Sequence, residues 1–296
     1  MTQGHLLPSV AISLLLVAGP PGAEALSDLR IAAAQPTASP GGATARTGAL
    51  QQADAGEIIA RSRAAFYEAG TDMRARITMS LIAEDGRTRE RELTMLRKNT
   101  AEDEQRYYIF FHRPPDVRAT AFLIRAYPER DDDRWIYVPA IDLVRRIAAE
   151  DAGSSFVGSD FSYEDVSGRD VHADRHRLLR EDTVESRPVY VLESVPERPA
   201  DYQRKVSWID QTTYLPLREE HYNVQGNLQR VYTSDEIQDI DSPAGAVPTV
   251  TKRTMQDVTS GHRTEVVFVE VSYNVGLEED VFTEASLRRP PRRWIR

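Results

Sequence analysis

The spacing of apolar residues changes once along the chain, at Gly70, and this change limits the fold more than any single motif. Before it the period is that of a helix. Ile58, Ile59, Ser62, Ala65 and Phe66 share one face, and Asp54 and Glu57 have the spacing of a capping box. After it the period is two. Met73, Ala75, Ile77, Met79 and Leu81 alternate with polar neighbours, and Asp85-Gly86 predicts a hairpin. The return strand runs to about Lys98, with Leu93 and Met95 on one face. Further strands are expected over 105–112, 119–127, 134–139, 141–148, 174–182, 187–196, 203–211, 215–224, 227–239, 248–258 and 263–275. Turn signals such as Gln225-Gly226-Asn227 and Ser260-Gly261 separate them. Short connections imply antiparallel neighbours in a meander. A short helix over about Glu278–Leu287 and a basic tail, 291–296, end the chain. So large a sheet twists and curls, and its apolar concave face needs a cover. The N-terminal helix and residues 149–168 are the available covers, and a curled sheet half-closed by helices leaves a cavity between them.

Composition narrows the function. The chain has 296 residues, a net charge of −9 and no cysteine. A disulfide framework, a thiol nucleophile, a cysteine zinc site and a lipobox are therefore excluded. The acidic balance argues against nucleic acid, which requires a concentrated basic face. Residues 6–18, LLPSVAISLLLVA, form an apolar run shorter than the roughly 20 residues of a membrane span. Ala23-Glu24-Ala25 follows as a small-residue cleavage site. Residues 1–25 thus read as a signal peptide, although MTQGH lacks Lys and Arg. Residues 26–52, rich in Ala, Gly, Pro and Thr, read as a flexible linker, and 53–290 as the folded domain.

Catalytic patterns are weak. There is no G-x-S-x-G elbow, and Ser154, Ser155 and Ser159 read as a loop bonding to itself. His172 and His176 are four apart; a helix would place both imidazoles on one face as a metal site requires, whereas on a strand they lie too far apart to chelate one ion, and H-E-x-x-H is absent. Asp131-Asp132-Asp133 reads as a solvated hairpin tip. Glu164-Asp165 are adjacent, and adjacent carboxylates rarely face each other across a substrate. No enzyme activity, metal or cofactor is assigned.

Three stretches carry a family resemblance: DRWIYVPAIDLVRRI at 133–147, SSFVGSDFSYEDV at 154–166, and TKRTMQDVTSGHRTEVVFVEVSYNVGLEEDVFTEASL at 251–287. With the order of elements, they make the chain resemble the LolA/LolB-like superfamily, in particular the larger LolA-like "outer membrane lipoprotein-sorting protein" branch. The resemblance implies an incomplete β-barrel closed by helices around a hydrophobic cavity. It implies a periplasmic carrier or chaperone for lipid or lipoprotein acyl chains. It also implies an RND/MMPL-type inner-membrane transporter as partner, so a non-carrier adaptor docking on such a transporter is the alternative. The Arg-Pro step of LolA-type carriers is absent, since this chain reads Leu96-Arg97-Lys98-Asn99. Its role in ligand release is not carried over. The missing cysteine also excludes a lipidated LolB-type receptor.

The expected protein is mostly β (α+β), LolA-like and monomeric. Cavity candidates are Met79, Leu81, Leu93, Met95, Leu123, Trp135 and Tyr137. Phe156, Asp160, Phe161, Tyr163, Glu164 and Asp165 form a lid or docking loop, or else a short helix whose aromatics plug the barrel end. Arg145 and Arg146 lie on opposite faces of a strand, and an inward arginine requires a partner such as Asp160, Glu164 or Asp165.

Overall fold

The computed structural model describes residues 54–296. The expected signal peptide and linker lie outside the described residues. Helix α1 (Ala55–Tyr67) starts at Asp54, whose carboxylate accepts from the Gly56 amide at 2.9 Å. Glu57 does not close a capping box; it accepts instead from Arg61 one turn on. Gly70, at φ 72°, turns the chain into the first strand.

Six strands follow: β1 (Asp72–Ile82), β2 (Thr88–Asn99), β3 (Gln105–Arg113), β4 (Ala121–Ala126), β5 (Asp133–Val138) and β6 (Leu143–Ile147). Residues 148–173 form a connection with one helical turn and a half, α2 (Tyr163–Ser167), capped reciprocally by Ser162 and Asp165. Seven more strands complete the sheet: β7 (Asp174–Val184), β8 (Arg187–Pro196), β9 (Arg204–Asp210), β10 (Pro216–Tyr222), β11 (Leu228–Ile240), β12 (Val247–Asp257) and β13 (Arg263–Tyr273). All pair antiparallel in the order β6-β5-β4-β3-β2-β1-β13-β12-β11-β10-β9-β8-β7. The sheet is thus two meanders joined by the β1–β13 pair, with β6 and β7 as free edges. It is mostly β, as the sequence predicts, and it is not closed into a barrel.

The sheet has an inner face, which carries α1 and the 148–173 connection, and an outer face. On the inner face Met73, Ala75, Ile77, Met79, Leu81, Leu93, Met95, Ile109, Phe111 and Phe122 form the main core with Phe156, Phe161 and Val166 of the connection. Under the N-terminal half of α1, Ile58 packs on Leu192 and Ile209. The outer face of β2 to β5 is covered by the C-terminal segment, with Phe282 and Leu287 against Leu96, Tyr108 and Leu123. That segment is not one helix. A 3-10 turn (Glu279–Phe282), α3 (Glu284–Arg288) and α4 (Arg292–Ile295) are separated by the extended residue Thr283 and by two prolines. Asp72 fixes its entry by accepting from the amides of Val275, Gly276 and Leu277 at 2.6–2.9 Å. The basic tail is held too: Arg74 donates to the Trp294 and Arg296 carbonyls.

Candidate functional site

The 148–173 connection crosses the inner face as a plug. Phe156 is 2% exposed and its ring lies 5.0–6.0 Å from those of Phe111, Phe122 and Tyr163. Such tilted and edge-on pairs suit the ring quadrupoles. Ser155 and Ser159 donate to carbonyls within the loop, at 2.6 and 2.7 Å, so the hydroxyls hold the turn together. Gly168, at φ 80°, brings the plug against α1. A Cβ there would lie 2.7 Å from the Arg63 guanidinium and 3.0 Å from the Tyr67 ring.

Ion pairs fasten the plug to the sheet. The His262 ring N–H and the Thr264 hydroxyl both donate to Asp160 at 2.7 Å. Arg230 donates to Asp165 at 2.9 Å and also to Asp201. Arg169 donates to Glu164 at 2.8 Å and to Asp174 at 2.7 Å. Burial works against a charge on Asp165, yet Arg230 and His221 outweigh it and keep its pKa low. Asp201 goes the other way, raised by burial and then by the Asp165 charge.

The structure thus corrects the predicted partners of these carboxylates. Arg145 and Arg146 are both exposed on the edge strand β6, which has a neighbour on one side only. Arg146 pairs with Asp133 instead. The predicted cavity set also divides. Met79, Leu81, Leu93 and Met95 lie on the inner face, whereas Leu123, Trp135 and Tyr137 belong to the outer cluster beneath the C-terminal segment. Asp132 is not at a solvated tip. It accepts from Arg134 at 2.8 Å and from the Ser167 hydroxyl at 2.7 Å, and burial raises its pKa. His176 uses both ring nitrogens, one with the Ser194 hydroxyl at 2.8 Å and one with the Val171 carbonyl at 2.7 Å.

Two cavities lie beneath α1. The first, about 90 Å³, separates α1 from β7 to β12 and has a charged floor. There Lys205 pairs with Glu219 at 3.2 Å, and Ser207 donates to Glu219 at 2.9 Å. The second, about 50 Å³, is bounded mainly by apolar groups, among them Met73, Met95, Val166 and Phe268. Phe66, Tyr67 and Arg253 border both. Of the predicted cavity residues, Met95 reaches this space.

The two ends of α1 are held differently. At its C-terminal end Arg97 donates to the carbonyls of Tyr67 and Ala69, and Asn99 to those of Glu68 and Gly70 at 2.7 Å. Gln105 adds a bond to Tyr67 at 2.8 Å. Toward its N-terminal end the polar link is Arg61 to the Tyr214 hydroxyl at 2.9 Å, beside the Ile58 contact. The charged floor, Arg97, Arg230 and Arg253 escape a reading of the sequence. On a half-buried strand, alternating charges read as the solvated face.

A protein-family model with the description "-like: Uncharacterized protein" matches residues 103–289. The chain belongs to that family. Solved structures agree. A DUF1329 family protein from Desulfovibrio piger is 29% identical, with a TM-score of 0.73 over 79% of this chain and 97% of that one. An outer membrane lipoprotein-sorting protein domain from Vibrio parahaemolyticus is 28% identical, with a TM-score of 0.73 over 79% and 98%. A LolA superfamily protein from Nitrosomonas europaea, 19% identical with a TM-score of 0.61 over 78% and 98%, shares the fold. No curated protein matches the chain.

Proposed function

We propose that this LolA-like chain is a periplasmic carrier or chaperone that binds a lipid or lipoprotein acyl chain between α1 and the inner face of the sheet. The observation that carries this reading is the pair of cavities that meet at Phe66 and Tyr67 of α1. The sorting role named for the Vibrio structure points the same way. Both cavities are well below the ~300–1,000 Å³ of a typical ligand pocket. The structure is then the closed form, and loading requires α1 to move. Its firmly bonded end, near Arg97 and Asn99, serves as the hinge, and the end near Ile58 and Arg61 lifts. Met95 and Met73 form part of the wall of the apolar cavity beside that hinge, and methionine adapts well to an irregular apolar ligand. Burying the chain yields about 0.8 kcal/mol per CH₂, enough to offset the loss of the Ile58 contacts.

In this reading residues 1–25 direct export, residues 26–52 tether the folded domain, and a monomer does the carrying. Phe156, Phe161 and Tyr163 close the bottom of the site as a plug, and the chemistry of the bound lipid is left unchanged.

Native mass spectrometry of the chain purified from the envelope tests this. The expected spectrum contains adducts with the masses of acyl lipids, which disappear on organic extraction and return on adding lipid. A protein that stays free of adducts when offered lipids overturns the proposal.

A further inference from the structure

The larger of the two cavities beneath α1 has, among the described residues, one cation in its lining without an anionic partner. Its acidic groups are all matched: Asp165 to Arg230, Asp170 to Arg198, Asp174 to Arg169, and Glu219 to Lys205. Arg63 on the cationic side bonds to Glu68 at 2.9 Å. The Arg253 side chain forms no ion pair or hydrogen bond among the described residues, and its Nε is buried and unpartnered. Three rings surround its guanidinium instead: Phe66 of α1, Phe161 of the plug and Phe268 of β13, with centroids 5.3, 5.4 and 5.1 Å away. Aromatic faces stabilise such a cation, but they satisfy none of its N–H donors. A buried guanidinium N–H left unbonded is costly unless an acceptor joins it. Arg253 borders both cavities, with the apolar one beyond it.

We propose that Arg253 receives the anionic head of a single-tailed amphiphile whose tail lies toward Met73 and Met95. The ligand class is thus a carboxylate or phosphate on an alkyl chain. A planar guanidinium bonds both heads with two parallel N–H groups. The three rings fix the guanidinium's position and shield one side of it. The inference rests on the carrier reading and specifies its ligand.

The test is displacement of a fluorescent acyl probe from the delipidated full chain by dodecanoate, dodecyl phosphate and dodecanol below their micelle concentrations. The wild type is expected to bind both anions at least about tenfold tighter than the alcohol, a difference of about 1.4 kcal/mol. Whichever anion binds tighter distinguishes a fatty-acid-like head from a phosphate head. Arg253→Gln should bind all three alike, while Arg253→Lys keeps a preference for anions. Equal binding of anions and alcohol by the wild type overturns the head-group assignment and leaves the carrier reading standing. A folded Arg253→Gln that keeps the preference overturns the same assignment. Failure of every amphiphile to displace a probe, or of the probe to bind, overturns both. Should Arg253→Gln not fold, the wild-type preference and the lysine variant decide.

Discussion

Asp165 in α2 and Arg230 in β11 meet at 2.9 Å, joining the plug to a strand 65 residues further along the chain. Arg230 also bonds Asp201, so one guanidinium separates two carboxylates that would otherwise repel. Replacing it with Ala removes the ion-pair partner of both in a largely desolvated place. The expected loss is about 3 kcal/mol of unfolding free energy, read from urea denaturation at pH 7. A loss below about 1 kcal/mol, the range of exposed ion pairs, would show that this pair contributes little to holding the plug.

Phe156 is the aromatic most deeply set in the plug, between Phe111, Phe122 and Tyr163. Phe156→Ala removes these ring contacts and leaves a hole in the main core. Large-to-small changes of this kind cost about 3–5 kcal/mol. The urea midpoint should fall accordingly at unchanged slope. A variant as stable as the wild type would place the ring's contribution elsewhere.

Glu219 gives the fold a dependence on acid. Burial opposes its charge, but Lys205, His221 and Ser207 outweigh burial and hold its pKa well below the ordinary 4.5. A carboxyl depressed in the folded state adds stability above the unfolded pKa. That contribution is lost as pH falls from about 5 toward the folded pKa. Glu164 and Asp132, raised by burial, act in the opposite sense, and replacing Glu219 leaves them in place. Glu219→Gln should therefore be less stable than the wild type at pH 7, with the gap closing below about pH 4. Stability measured across this range checks it; a gap independent of pH contradicts the assigned coupling.

The strands are legible in the sequence because each keeps a period of two between turn residues, and the meander follows from the short connections. Facing is harder. In β4, Ala121, Phe122, Leu123 and Ile124 are all buried, so alternation gives no parity. Nothing local then separates Leu123 from Met79, although the two face opposite ways. Trp135 and Tyr137 share its side through the β4–β5 register. The edge position of β6, which exposes Arg145 and Arg146, depends on strand order, and local sequence does not encode that order. The plug is legible as a cluster of aromatics and carboxylates. Its partners are not, because Arg230, His262 and Thr264 lie far along the chain on strands whose charges look solvated. The same holds for Arg253, whose meaning depends on three rings from three elements.

Entry of an acyl chain beneath α1 is tested most directly by a crystal structure of the protein with a brominated fatty acid. Anomalous bromine peaks are expected between α1 and the inner face near Met73 and Met95, with the Ile58 end of α1 displaced outward. Bromine found only on the outer face, or along the exposed edge of β6, with α1 still seated on Leu192 and Ile209, would contradict a carrier that loads beneath this helix.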